Sequence, residues 1–204
     1  MVVSCKQDIV KDTLKDLQSQ PVKIRLDRME CRMYDRDTVY ADSVKPLLRL
    51  VTYVDSSVCS PCTLDHMYVW NDFIDESRQY NGKQEYIFVI APKPGPYHLE
   101  DVHLSIESCG LKCPVYVDTA YVFKNDNPHL PTDNRFHTML LDRNDSVLMV
   151  GSPLANPQVE ELFMRIVKSG NYSAPIEVSP IGMSDHLTVL QQQELHCISN
   201  FRSS

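Results

Sequence analysis

Between residues 46 and 170 the chain alternates between two patterns. Apolar runs of strand length are separated by segments whose apolar positions recur at three- and four-residue steps. "PLLRLVTYV" (Pro46–Val54) and "EYIFVIAP" (Glu85–Pro92) are near-continuous apolar runs, the pattern of strands covered on both faces. Between them Leu64, Met67, Trp70, Phe73 and Ile74 share one stripe, which predicts a helix from about Cys59 to about Ser77. "PYHLEDVHLSIESCG" predicts a helix from about Leu99, closed by Gly110. "CPVYVD" is a short third strand, and "RFHTMLLDRNDSVLMVGSP" is a hairpin turning at "DRND". "ANPQVEELFMRIVKSG" carries a full set of helix-end signals: Asn156 as N-cap, Pro157 in first position, Glu160 and Glu161 in the first turn, Lys168 in the last, and Gly170 after it.

The order β-α-β-α-β, then an irregular stretch, then β-β-α implies parallel strands joined by helices, with an antiparallel hairpin added. The expected architecture is a central mixed sheet with helices on both faces. Upstream, "DIVKDTLKDLQS" (residues 8–19) reads as a short amphipathic helix, a tether that Pro21 ends. "VKIRLDRMECRMYDRDTVY" alternates apolar with charged residues and reads as a hairpin or pair of edge strands with a solvated charged face, Cys31 packing within it. After Gly170 there are two prolines, strand-like fragments and no helical repeat. The expected division is 1–45, tether helix and hairpin; 46–170, the main domain; and 171–204, a linker and β-rich tail that could begin a further β-domain.

Charge and composition narrow the function. The 204 residues carry a net charge of -7, with 43% hydrophobic and 23% charged residues, a globular composition without the basic face that nucleic acid requires. The sequence has no run of eighteen or more apolar residues, the length that spans a membrane as a helix. Six glycines leave no glycine-rich phosphate loop. The seven cysteines are an odd number, which does not suit a closed disulfide framework.

The chemistry concentrates at Cys59-Ser60-Pro61-Cys62, where the first strand turns into its helix. Unpaired N–H groups and the positive end of the helix dipole at that point favour a thiolate at Cys59. Cys62, three residues on, is close enough to resolve a mixed disulfide. His137 lies ahead of the hairpin; two thiolates and an imidazole would make a ligand set for Cu(I) or Zn, whereas the plainer role is a strand histidine satisfied by a backbone partner. His66, on the helix surface, would tune a thiol or add a ligand only if it pointed back toward Cys62. Cys109 and Cys113 are read as a structural disulfide or as unpaired thiols, in preference to a second, regulatory dithiol. The loop "APKPGP" is a rigid connection that could border a ligand crevice at a strand's C-terminal end.

Three segments, "YVDSSVCSPC", "CPVYVD" and "FHTMLLDRNDSVLMVGSP" with its closing helix, carry a family likeness. From about Pro46 to Gly170 the chain resembles a thioredoxin-like domain, and is similar to the TlpA/ResA-type envelope thiol–disulfide oxidoreductases, particularly lipoproteins of Bacteroides-like bacteria. The resemblance implies a thioredoxin-like three-layer α/β/α fold with a central mixed β-sheet, Cys59 as attacking thiol and Cys62 as resolving thiol. It implies disulfide or thiol client proteins, an envelope thiol reductant or oxidant, no cofactor, no nucleic acid, and contact with a membrane only through a lipid anchor. Val58 stands where such proteins usually have Trp, Tyr53 where an acid often sits, and Arg135-Phe136-His137-Thr138 where a cis-proline normally faces the dithiol. A trans backbone is expected there, since a non-proline cis bond costs about 2.5–4 kcal/mol. These departures keep two alternatives open: a Cu or Zn carrier using Cys59, Cys62 and His137, and a redox-silent interaction domain. Val2-Val3-Ser4-Cys5 resembles a bacterial lipobox. Given an upstream signal, Cys5 would be lipidated and the protein held at the periplasmic face of the envelope; a genuine start at Met1 would make it cytoplasmic.

Overall fold

The computed structural model describes residues 12–33, 36–37, 46–58, 60–81 and 84–170. The expected tail over 171–204, the lipobox and Cys59 itself lie outside the described residues. Seven strands form one sheet: β1 (Glu30–Met33), β2 (Arg36–Asp37), β3 (Leu48–Val54), β4 (Gln84–Ile90), β5 (Val115–Val117), β6 (Thr138–Leu141) and β7 (Val147–Val150). Their order is β2-β1-β5-β4-β3-β6-β7. β3 runs parallel to β4, and β4 to β5, whereas β6 is antiparallel to β3 and β7 to β6. β1 adds antiparallel to β5. The expected hairpin at 22–40 therefore supplies an edge of the same sheet, with Leu26–Arg28 forming a 3₁₀ turn before it.

Helices are α1 (residues 12–18), α2 (Ser60–Leu64), α3 (Trp70–Asn81), α4 (Pro96–Ser108), α5 (Val122–Asp126) and α6 (Pro157–Ser169). From β3 to β4 to β5 the chain steps in one direction across the sheet. Right-handed crossovers then put α3 and α4 on the same face. The return from β5 to β6, on the far side of β3, carries α5 and a 3₁₀ turn at Asn134–Phe136 over the opposite face. Alternation along the strands sorts the core accordingly. Leu50, Phe88 and Ile90 pack with Trp70, Ile106 and Phe163 on one face. Val51, Ile87 and Val89 pack with Leu14, Leu17 and Phe123 on the other.

Two expectations need correction. The N-terminal helix is no loose tether, because Leu14 and Leu17 are buried in the second core cluster. The segment after it is tied down as well: the Val22 amide donates to the Asp145 carbonyl, and Asn127 bonds both the amide and the carbonyl of Lys23. Nor is the helix after β3 continuous. It stops after Leu64, passes through a 3₁₀ turn at Met67–Val69 and resumes at Trp70. At the break the His66 amide bonds the Thr63 carbonyl three residues back, while the His66 ring Nδ1 donates to the Cys62 carbonyl at 3.0 Å. The side chain has taken the acceptor that the helical N–H would have used.

The closing helix follows its sequence signals. The Asn156 side chain accepts from the Gln158 amide, Pro157 opens the helix, and Gly170 ends it in the left-handed region at φ 66°. α5 was not anticipated in the irregular stretch. Asp118 caps it, its two carboxylate oxygens accepting from the Val122 and Phe123 amides at 2.8 Å.

Candidate functional site

The site is organised by the C-terminal end of β3. After Val54 the backbone turns at Asp55, whose Oδ1 accepts from the Ser57 amide at 2.9 Å and whose carbonyl accepts from the Val58 amide at 2.9 Å. This is an Asx-type turn, the local device by which Asp reverses a chain. It delivers the chain to Ser60, where α2 begins. Asp55 points inward and is buried; Lys124 of α5 donates to its Oδ2 at 2.8 Å. Burial alone would raise the pKa of this carboxyl, but the bonds from Lys124 and Ser57 outweigh it and hold the group at about 2.

Behind the turn Tyr53 stacks between Phe123, at 4.8 Å between ring centroids, and His137, at 5.3 Å. Burial raises the Tyr53 phenol well above its usual range, with Asp55 adding to the effect, so the ring stays neutral. His137 is buried. Its carbonyl accepts from the Tyr53 amide at 2.9 Å, and its Nε2 donates to the Pro131 carbonyl at 2.8 Å. Its Nδ1 is buried without a partner. Desolvation pulls its pKa below the ordinary imidazole value, which favours the neutral ring. The His137 ring thus has a backbone partner at Nε2 and none at Nδ1. No cis peptide bond occurs among the described residues. Nor do any three His, Cys, Asp or Glu side chains among the described residues form a metal-sized group.

Cys62 sits within α2 and is disulfide-bonded. The other cysteines among the described residues, Cys31, Cys109 and Cys113, are buried free thiols, and burial raises the pKa of each. Cys31 is thus the packing residue expected. Cys109 and Cys113 form neither a structural disulfide nor an oxidised second pair; the Cys109 thiol donates to the Ile106 carbonyl, and Arg78 lies 3.8 Å from the Cys113 sulfur. His66 meets the Cys62 carbonyl, so in this arrangement its ring nitrogen serves the backbone and does not act as a ligand beside the thiol.

Sequence reasoning missed the Asp55–Lys124 pair and the cap at Asp118. The "VDSS" string carried a signal for the first, since Asp followed by two small polar residues at a strand end is an Asx-turn pattern. Nothing local could have named Lys124, which lies 69 residues away.

A parallel β–α–β unit, a hairpin joined antiparallel to the other side of its first strand, and a closing helix over the sheet complete the arrangement. The fold is thioredoxin-like. In this chain β5 and α5 are inserted between the unit and the hairpin, widening the sheet. No family model matches the sequence, and no curated protein does. Among solved structures, a thioredoxin-like protein in its oxidised form shares 14% identity over 74% of this chain and 97% of that one, with a TM-score of 0.49. An uncharacterised conserved protein from Geobacillus kaustophilus shares 12% over 79% and 85%, with a TM-score of 0.47. An uncharacterised thioredoxin-like protein from Porphyromonas gingivalis shares 15% over 73% and 95%, with a TM-score of 0.41. Strand order and connection define the fold.

Proposed function

We propose that this chain is a thiol–disulfide oxidoreductase of the cell envelope, of the TlpA/ResA type, in which Cys59 attacks and Cys62 resolves. The observation that carries the reading is Cys62: it lies in the helix that follows the C-terminal end of β3 and is engaged in a disulfide, while the other described cysteines are buried free thiols. Its partner is a cysteine outside the described residues. Cys59 is the one the spacing favours, because it stands three residues before Cys62 in a Cys-x-x-Cys pattern, the spacing of redox dithiols at a helix start.

The reaction is a two-electron exchange. In the reduced protein the Cys59 thiolate attacks one sulfur of a client disulfide. That bond breaks, a mixed disulfide forms, and the departing client thiolate takes a proton from solvent. Cys62 loses its proton and attacks the Cys59 sulfur, which releases the second client thiolate and closes the protein disulfide. An envelope thiol reductant reverses the protein's oxidation; an envelope oxidant would run the cycle the other way. Asp55 supports this chemistry by fixing the turn into the dithiol. Anchoring through a lipid on Cys5 belongs to the same proposal and is tested by mass analysis of the protein from membranes.

A metal-carrier reading has one observation in its favour. With Nε2–H committed to Pro131, the His137 Nδ1 is the unprotonated nitrogen, the form that binds a metal. One titration separates the readings. The protein, reduced and stripped of metal, is equilibrated across a glutathione redox buffer, and its thiols are trapped by alkylation and mapped by mass. The oxidoreductase reading expects a reversible Cys59–Cys62 couple with a defined midpoint, lost in Cys59→Ser. A pair that never reduces under native conditions overturns it in favour of a structural disulfide. Oxidation blocked only after Cu(I) or Zn is restored, and no longer blocked in His137→Leu, would move the assignment to a carrier.

A further inference from the structure

α2 and α3 are separate helices although one apolar stripe runs through both, and the break falls at His66. A helix end leaves its last carbonyls without helical partners. In α2 the Pro61 carbonyl accepts from the Asp65 amide at 3.0 Å, and the Thr63 carbonyl from the His66 amide at 3.3 Å. The Cys62 carbonyl comes between these two, and the exposed His66 ring serves it, Nδ1 donating at 3.0 Å. In an unbroken helix the His66 amide would bond the Cys62 carbonyl instead. The ring therefore holds the cysteine's own peptide group out of helical register.

The two sides of α2 show why this bond matters. Behind the break the chain is pinned. Met67 and Trp70 are buried, and Asn71 bonds the Gly110 carbonyl and the Lys112 amide, each at 2.9 Å. In front, packing is looser. A cleft of about 180 Å³ lies between the start of α2 and α4, lined by Val58, Ser60, Pro61 and Val102 among others. The cleft leaves α2 room to shift, so its placement falls to the polar bonds at its ends, the Asp55 turn ahead of it and His66 behind it. Cys62 is disulfide-bonded in this arrangement, so the His66 bond is one that the oxidised form makes.

We propose that His66 is a positioning residue for the dithiol, acting on Cys62 through its carbonyl. By keeping that carbonyl out of helical register it holds Cys62 within reach of its partner cysteine, and so favours the disulfide over the dithiol. Without the ring, the His66 amide takes the Cys62 carbonyl, α2 runs on toward α3, and Cys62 is drawn away from its partner. This inference rests on the oxidoreductase reading and adds the residue that sets the balance of its couple.

The test reads one equilibrium: protein dithiol plus oxidised glutathione gives protein disulfide plus two reduced glutathione, with two electrons and two protons passing to glutathione. Parent, His66→Ala and His66→Asn are equilibrated in glutathione buffers at neutral pH, and Cys59 and Cys62 are trapped by alkylation and mapped by mass. Asparagine carries an N–H as many bonds from its Cα as the histidine Nδ1, so it restores the donor. His66→Ala should lower the equilibrium constant about three- to ten-fold, the range that one net hydrogen bond supports, ten-fold being about 30 mV. His66→Asn should return to within about two-fold of the parent. Urea unfolding of each reduced variant checks that it is folded. A merely structural role would weaken both redox forms alike and leave the constant where it was. A constant for His66→Ala within about 1.5-fold of the parent's, or above it, overturns the inference, as does an equal fall in both variants. If the parent shows no reversible couple, the oxidoreductase reading itself fails and the inference falls with it.

Discussion

Replacing Asp55 by alanine removes the group that turns β3 into α2. Two contributions are lost. The Ser57 amide loses its acceptor; Ser57 is exposed and water can take the acceptor's place, so the loss is about 0.5–1.5 kcal/mol. The ion pair to Lys124 also goes, but the Lys124 side chain is 54% exposed and returns to water, so the large penalty of a stranded buried charge does not apply. The carboxyl offers a second route to the magnitude. A fall from the ordinary 3.8 to about 2 corresponds to roughly 2.5 kcal/mol at neutral pH, counting the same bonds from the proton's side. The expected destabilisation is therefore about 2 kcal/mol at pH 7. Because the folded pKa is depressed, this stability is fully present above about pH 4 and disappears as pH falls through about 2. Urea unfolding followed by the single tryptophan, Trp70, which is buried in the core, measures the gap between parent and Asp55→Ala at several pH values. Asp55→Asn, which keeps an oxygen for Ser57 and gives up the charge, should fall between the two. A gap below about 0.5 kcal/mol at pH 7, or one that stays constant down to pH 2, would refute the account.

Asn127 joins the amide and carbonyl of Lys23 to the Phe123 carbonyl, and Asn127→Ala should cost about 2–4 kcal/mol and free the Lys23 amide to hydrogen exchange. An unchanged exchange rate at Lys23 would show that the arm is held by other contacts. Cys109 and Cys113, buried and with raised pKa values, should resist alkylation under native conditions and react only at the rate of unfolding; modification within minutes, read by mass, would contradict their placement. His137 is kept neutral by burial, so its folded pKa lies below the unfolded value and the protein should lose stability as pH falls from about 7 toward 5. His137→Leu should flatten that slope in urea titrations, and an identical slope in the variant would assign it to another group.

No helix among the described residues is long and apolar enough to cross a bilayer.

Much of this protein was legible before any coordinates. β3, β4 and the closing helix α6 announce themselves because their signals are local: β-branched apolar runs, an Asn-Pro start, a Gly stop. The proposed pairing of Cys59 with Cys62 rests on the same kind of local signal, since both cysteines fall within a few residues of the helix start. What the chain pattern could not decide is which element covers which. Periodicity marks an apolar face but not its partner, so the N-terminal helix read as a tether although Leu14 and Leu17 close the second core. The break at His66 was hidden because the apolar stripe runs on through it; a side-chain bond to the Cys62 carbonyl decides it, and that bond exists only in three dimensions. The supports of the site are the clearest case. Lys124 reaches Asp55 across 69 residues and Asn127 reaches Lys23 across 104, because the return from β5 to β6 lays α5 over the second face of the sheet. Sequence alone determined the strands and the helix ends and nominated the proposed pair, which depend on neighbours along the chain; packing decided the turn's electrostatics and the cleft beside it, which depend on neighbours in space.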